Sequence, residues 1–220
     1  EAKIKKKKTV SFLEHWINYS GRFNRNGIEI LPDEIWVGDI YAQKIAKDTF
    51  PDTKVKLLEN PYLAEIKILV DKVKPKEKMI NQHTALFLCE NISEHMLLHH
   101  GDVNYLGYTE HDALQFFIDN MERIDKDINT LIIRPHPSDK NIEEKYAWVK
   151  KYPMQKSCNI QFSEEVSLIQ DIIDCDIVAG AGTMAMVVGL TSGKRVVSSI
   201  PKKGKKCVLP FSQIEHISDW

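Results

Sequence analysis

Thr130-Leu131-Ile132-Ile133-Arg134-Pro135-His136-Pro137 is the stretch on which the fold turns. Its first four residues carry no charge and are mostly β-branched, which reads as a strand buried on both faces in a parallel sheet. The two prolines then stop the strand and stiffen the backbone on either side of His136. Ligand chemistry in α/β sheets gathers at the carboxyl ends of strands. An arginine and a histidine held at such an end suit an anion, a phosphate above all. The alternative is a rigid turn in which Arg134 pairs with a surface carboxylate.

Outward from this stretch, apolar runs alternate with helical patterns, the signature of βαβ units. Downstream, Ser138 or Asp139 is placed to cap a helix containing Ile142, Tyr146 and Val149. Strand Ile160–Phe162 follows, then a helix bearing Val166, Ile169, Ile172 and Ile173. Strand Ile177–Ala179 leads through Gly180-Ala181-Gly182-Thr183 into an apolar helix from Met184 to Leu190, and strand Arg195–Ser199 closes the pattern. Upstream, Thr109 caps a helix whose apolar face runs from Ala113 to Ile124, and Thr84–Cys89 is a strand. Between them Glu90 to Tyr108, with three histidines and two glycines, reads as a long loop. Five strands with intervening helices make a complete Rossmann-like domain.

The region before it is less regular. It reads as strand Thr9–Leu13, a polar loop, strand Glu34–Gly38, helix Ile40–Thr49 and a short strand Val55–Leu58. Pro61 opens a connecting helix with Leu63, Ile66, Leu69, Val70 and Val73 at helical spacing. The charged stretch Lys72 to Lys78, broken by Pro75, sets the expected boundary between a first part, 1–74, and a second, 75–220.

With 43% hydrophobic and 28% charged residues the chain has the composition of a soluble globular protein. A net charge of -1 argues against a general nucleic-acid binder. No apolar run is long enough to span a bilayer, so a cytoplasmic location is expected. Cys89, Cys158, Cys175 and Cys207 show no C-x-x-C spacing, which suits buried thiols in a reducing compartment. The chain opens without methionine on Glu1-Ala2-Lys3-Ile4 and the basic run Lys5 to Lys8. That run reads as the solvated end of a helix feeding the first strand, with peripheral contact to anionic lipid at the inner membrane face as the other reading. The opening suggests a fragment whose upstream part is missing.

Candidate chemistry collects at the strand ends. In Gly180-Ala181-Gly182-Thr183, glycines between a strand and a helix let backbone N–H groups approach a phosphate, with the helix dipole behind them and the Thr183 hydroxyl as a further donor. Glu90 faces the same rim, either holding a ribose or sugar hydroxyl or capping its loop. Ser198-Ser199 can also donate to phosphate there. His95 and His99 stand at i and i+4, a metal-ligand spacing that lacks a carboxylate or cysteine in register. In the first part, Glu14-His15-Trp16 ends a strand and leads into Asn18-Tyr19-Ser20-Gly21-Arg22-Phe23. A carboxylate beside a histidine can act as a general base. Equally, Trp16, Tyr19 and Phe23 can anchor a loop while Glu14 pairs with Arg22.

The segment Glu14-His15-Trp16-Ile17-Asn18-Tyr19-Ser20-Gly21-Arg22-Phe23 resembles a D-H-W-x-N-Y-x-x-R-F segment of bacterial surface-polysaccharide biosynthesis proteins. With the RPHP turn and the Gly-Thr helix start, the element order resembles GT-B glycosyltransferase-like proteins, a group similar to UDP-N-acetylglucosamine 2-epimerases and His-Pro-motif sialyltransferases. The resemblance implies an α/β, GT-B-like fold with a complete C-terminal Rossmann-like domain and only part of the N-terminal one. It implies a nucleotide-sugar donor of UDP or CMP type, a glycan or lipid-linked acceptor, no nucleic acid, and no cofactor or metal. Arg134, His136, Ser138, Gly180, Gly182, Thr183 and Glu90 are the implied nucleotide-binding set, and Glu14, His15 and His136 the implied catalytic set. An epimerase and a non-catalytic binding protein are the alternatives. One departure stands out: many GT-B enzymes grip the ribose with a glutamate in the helix after the glycine turn, and Met184 to Leu190 contains none.

Overall fold

Each strand expected from the sequence forms, within a residue or two of its expected ends. The computed structural model describes residues 7–77, 82–153 and 158–220. Lys5 and Lys6 of the basic run, and Lys78 at the end of the charged linker, lie outside the described residues. The chain divides into two units: residues up to Ile66 with Val208–Phe211, and Lys67–Cys207 with Ser212–Trp220. The division falls earlier than the expected 74/75 boundary. It also returns Val208–Phe211 to the first unit, because Phe211 packs edge-on against Trp16 and Tyr41, with ring centroids 4.9 and 5.2 Å away.

The first unit contains β1 (Val10–Leu13), the short helix α1 (Tyr19–Phe23), the two-residue strands β2 (Asn24–Arg25) and β3 (Ile28–Glu29), β4 (Glu34–Val37), α2 (Ile40–Thr49), β5 (Lys54–Leu57) and the start of α3 (Pro61–Lys72). Its sheet is parallel, in the order β1-β4-β5. Asp39 caps α2 by accepting from the Ala42 amide at 2.7 Å. Its other oxygen accepts from Trp16 Nε1 at 2.9 Å, fixing the chain that leaves β1. Trp16 and Tyr19 are buried and Phe23 packs on Phe50, so the aromatic residues of this segment do anchor it. Glu34 is buried beneath Lys8, Lys54 and Lys56, and bonds from Lys8 and Lys56 hold its carboxyl below the usual carboxylate range.

The second unit runs β6 (Thr84–Leu88), α4 (Ile92–His100), α5 (Glu110–Ile124), β7 (Thr130–Arg134), α6 (Ile142–Lys145), a 3-10 turn (Ala147–Lys151), β8 (Asn159–Phe162), α7 (Leu168–Asp174), β9 (Ile177–Gly180), α8 (Met184–Thr191), β10 (Arg195–Ser198) and β11 (Ile214–His216). The sheet has six parallel strands, not the five expected, in the order β11-β10-β9-β6-β7-β8. From the first strand, β6, the chain winds outward through β7 and β8. It then returns to the other side of β6 and winds outward through β9, β10 and β11. This is the doubly wound order, and it reverses between β6 and β9.

All five residues of β6 are buried, as a central strand covered on both faces requires. On one face α5 lays Phe117 against Phe87, with ring centroids 5.5 Å apart. Burying a side chain of that size contributes about 2–3 kcal/mol. The start of α5 is fixed by reciprocal bonds between Thr109 and Asp112, a capping box. On the other face lie α7 and α8. Gly180 permits close packing there: a Cβ would stand 3.1 Å from the Leu88 carbonyl oxygen and 3.2 Å from the Met186 sulfur.

Three sequence readings are corrected. The stretch from Glu90 to Tyr108 is not all loop, because Ile92 and Met96, one turn apart, are buried and nucleate α4, which ends at Gly101 with φ 70°. Neither Ser138 nor Asp139 caps the next helix; Asn141, at φ 51°, precedes it, since the Asp139 carboxylate is engaged elsewhere. Val166 lies before α7, almost fully exposed, and Ser167 is the cap. Among the described residues no helix is long and apolar enough to cross a membrane.

Candidate binding site

Strand register builds the site. Leu88 pairs with Arg134 on one side and with Gly180 on the other, so the carboxyl ends of β6, β7 and β9 form one row. Two residues beyond that row stand Glu90, His136 and Gly182. The row ends at the switch point between β6 and β9, where doubly wound sheets bind ligands. A cavity of about 420 Å³ opens there, lined by Glu90, Asn91, His95, His136, Ser138 and Thr183 among others. That volume falls in the range of small-molecule sites.

The RPHP turn orients its histidine firmly. The His136 amide donates to Asp139 Oδ2 at 3.0 Å. The Ser138 amide donates to His136 Nδ1 at 3.2 Å, with Ser138 Oγ 2.7 Å from the same nitrogen. A neutral ring that accepts at Nδ1 carries its proton on Nε2, so His136 offers a donor. Ser138 Oγ also accepts from Asn91 Nδ2 at 3.2 Å, joining the turn to the start of α4. Asn91 Oδ1 is buried with no hydrogen-bond partner among the described residues.

At the glycine turn, Thr183 caps α8 by accepting from the Ala185 amide at 3.3 Å, leaving its hydroxyl proton to donate. The Gly182 amide is already engaged: it donates to Glu90 Oε1 at 2.8 Å. A built-in carboxylate thus sits where a bound phosphate would be expected. Burial pushes the Glu90 pKa up, while bonds from the Gly182 and Ala181 amides oppose the rise.

Arg134 does not line this cavity. Leu131 and Ile133 enter the core, and side chains alternate along a strand, so Arg134 faces the opposite side. Its Nη1 lies 2.6 Å from Asp171 Oδ2 and 2.8 Å from the Glu165 carbonyl, and Nη2 donates to the Val166 carbonyl at 3.1 Å. The reading of Arg134 as a phosphate ligand is therefore replaced by a structural ion pair, with a buried partner rather than a surface one. Ser198 and Ser199 are also reassigned. Both are buried, and they donate to the carbonyls of Ala181 and Gly180, bracing the glycine turn from behind.

The rings of His95 and His99 lie 4.3 Å apart on α4, and among the described residues no group of three metal-ligating side chains forms. Glu14 is exposed and His15 half-buried, both in the first unit, and no ion pair joins Glu14 to Arg22 among the described residues. Sequence reasoning passed over Asn91, Glu110 and Lys145, and took Asp139 only as a helix cap; the structure joins the last three as a trio. The only signal for Asn91 is its place beside Glu90 at a strand end, and nothing in the sequence brings the trio together.

No protein-family model matches the chain, and no curated protein matches it. Among solved structures it is similar to UDP-GlcNAc 2-epimerase from Methanocaldococcus jannaschii, with a TM-score of 0.53 at 11% identity over 100% of this chain and 62% of that one. It is also similar to KpsC, a beta Kdo 2,4 transferase from Thermosulfurimonas dismutans, with a TM-score of 0.44 at 14% identity over 73% of this chain and 50% of that one. The chain thus spans less than two thirds of either protein. The fold is GT-B-like, and at these identities the likeness extends to the fold alone.

Proposed function

We propose that the second unit binds the nucleotide part of a nucleotide sugar, of UDP or CMP type, within a glycosyltransferase-like protein of bacterial surface-polysaccharide biosynthesis. The observation that supports this reading is the convergence of Glu90, His136, Ser138 and Thr183 on one cavity at the switch point of the sheet. In the proposed reaction the bond between the anomeric carbon and the nucleotide phosphate breaks, and its electron pair leaves with the phosphate. An acceptor oxygen of a glycan or lipid-linked glycan bonds to the carbon, and its proton passes to a general base. For that base we propose Glu14, assisted by His15, working at the cytoplasmic side of the membrane.

The departing phosphate gains negative charge. Fixed donors aimed at it lower the barrier without reorganising. The His136 Nε2 proton, the Thr183 hydroxyl and the start of α8 are such donors. Among the described residues lining the cavity there is no lysine or arginine, so the imidazoles of His136 and His95 are its basic side chains, and His136 is the one fixed by the turn.

The test is His136→Ala against UDP, CMP, CDP and GDP and their sugar conjugates, read by calorimetry and thermal shift. Loss of a charge-assisted bond to phosphate is expected to weaken binding about tenfold or more, with the melting temperature lowered by no more than a few degrees. A large stability loss with unchanged affinity would assign His136 to the fold and remove this reading.

A further inference from the structure

We propose that Lys145 is a positioning residue that fixes the separation between the two walls of the cavity. The inference rests on the cavity being the ligand site. One wall is the RPHP turn, carrying His136; the other is the start of α4, carrying Asn91 and His95. Lys145 is not among the described residues that line the cavity. Its Nζ lies 2.7 Å from Asp139 Oδ1 and 2.7 Å from Glu110 Oε1. Each carboxylate uses its second oxygen on one wall. Asp139 Oδ2 accepts from the His136 amide at 3.0 Å and from the Tyr146 hydroxyl at 2.8 Å. Glu110 Oε2 accepts from the Ser93 amide at 2.9 Å and from its hydroxyl at 2.6 Å.

The chain of contacts therefore runs from the His136 turn through Asp139, Lys145 and Glu110 to the first turn of α4. The side chains of Asp139 and Glu110 are 0% and 3% exposed, and that of Lys145 is 16% exposed. Two buried carboxylates this close are stable only with the cation between them. Burial opposes the charge on Lys145, but its bonds to Asp139 and Glu110 raise its pKa. For Glu110, bonds from Lys145 and Ser93 outweigh burial and hold the carboxyl below its usual range. The direct bond across the cavity mouth, from Asn91 to Ser138 at 3.2 Å, is longer and exposed, and does not set the spacing alone. The buried bridge does.

The experiment is amide hydrogen exchange on Lys145→Met and Lys145→Arg in the full chain, paired with titration by the nucleotide that the wild type binds. In Lys145→Met the Ser93 and His136 amides should exchange faster together, by about tenfold or more, while amides inside α5 keep their protection. Nucleotide affinity should fall about tenfold, and Lys145→Arg, which can still span both carboxylates, should restore both readings. If Lys145→Met does not fold, Glu110→Gln should release the Ser93 amide alone and Asp139→Asn the His136 amide alone. Faster exchange at one wall only in Lys145→Met, or at neither, overturns the bridge. If the wild type binds no nucleotide, the proposed function fails, and exchange by itself decides the role of Lys145.

Discussion

Arg134→Met is expected to lower the unfolding free energy by about 3–5 kcal/mol, the usual cost of removing one partner of a buried ion pair. The Arg134 side chain is 17% exposed and that of Asp171 4%. Asp171 would keep its 2.5 Å bond from Ser163 Oγ but lose its guanidinium partner, and the carbonyls of Glu165 and Val166 would lose the Arg134 donor. These carbonyls belong to the chain between β8 and α7, so that connection should loosen first. Urea unfolding of the two proteins measures the loss as a lower midpoint at unchanged slope. Nucleotide affinity should stay within about threefold, because the guanidinium faces away from the cavity. Intact stability with lost affinity would return Arg134 to the role of phosphate ligand.

Glu90→Gln should act in the opposite sense on function. The carboxylate occupies the Gly182 amide and would repel a phosphate brought to the start of α8. Two like charges a few ångströms apart near a protein surface repel by about 3–4 kcal/mol. A glutamine keeps an oxygen for the amide without the charge, so UDP or CMP should bind about tenfold tighter at pH 8. The pH dependence has a definite sign. Burial raises the Glu90 pKa above its unfolded value, so its contribution to stability is complete below the ordinary carboxylate range and is lost as pH rises through the folded value. The advantage of glutamine, in stability and in affinity, should therefore be largest at pH 8 and shrink toward pH 4. The titratable groups that share this environment are Glu94, His95 and His136 in the cavity and Tyr108 behind it; both proteins carry all four, so the difference between them at each pH reports Glu90. Weaker binding in Glu90→Gln would mean instead that the carboxylate grips a sugar or ribose hydroxyl.

Much of the fold was legible because its strands are buried on both faces. Thr84–Leu88, Thr130–Ile133 and Ile177–Ala179 announce themselves as uncharged runs, and Thr109 and Thr183 stand where caps must be. β11 escaped notice because an edge strand of three residues buries only Ile214 fully and uses Glu215 to pair with Arg195. α4 was hidden because two buried residues, Ile92 and Met96, carry it while three histidines face outward. The candidate site was legible in position and less so in roles. Strand ends can be read along a chain, which is why the sequence points to His136, Thr183 and Glu90, three residues that the fold brings to one cavity. Which face a strand residue takes requires its alternation to be followed to the last position, and that would have turned Arg134 away from the cavity. Contacts between distant residues leave no local trace at all, which is why the link from Asp139 through Lys145 to Glu110 entered only with the structure.

The return of Val208–Phe211 to the first unit has a practical consequence for dissection. That unit is encoded discontinuously, so a gene fragment ending after α3 would omit the ring that covers Trp16 and Tyr41. The indole would be left wet on one side and the product prone to self-association. A version that splices 208–211 onto the fragment through a flexible linker would restore the missing face, and its tryptophan emission should be blue-shifted relative to the plain truncation. Domain-swapped chimaeras of this protein need two junctions in each partner, and a single crossover between homologues would exchange the body of the unit without its plug.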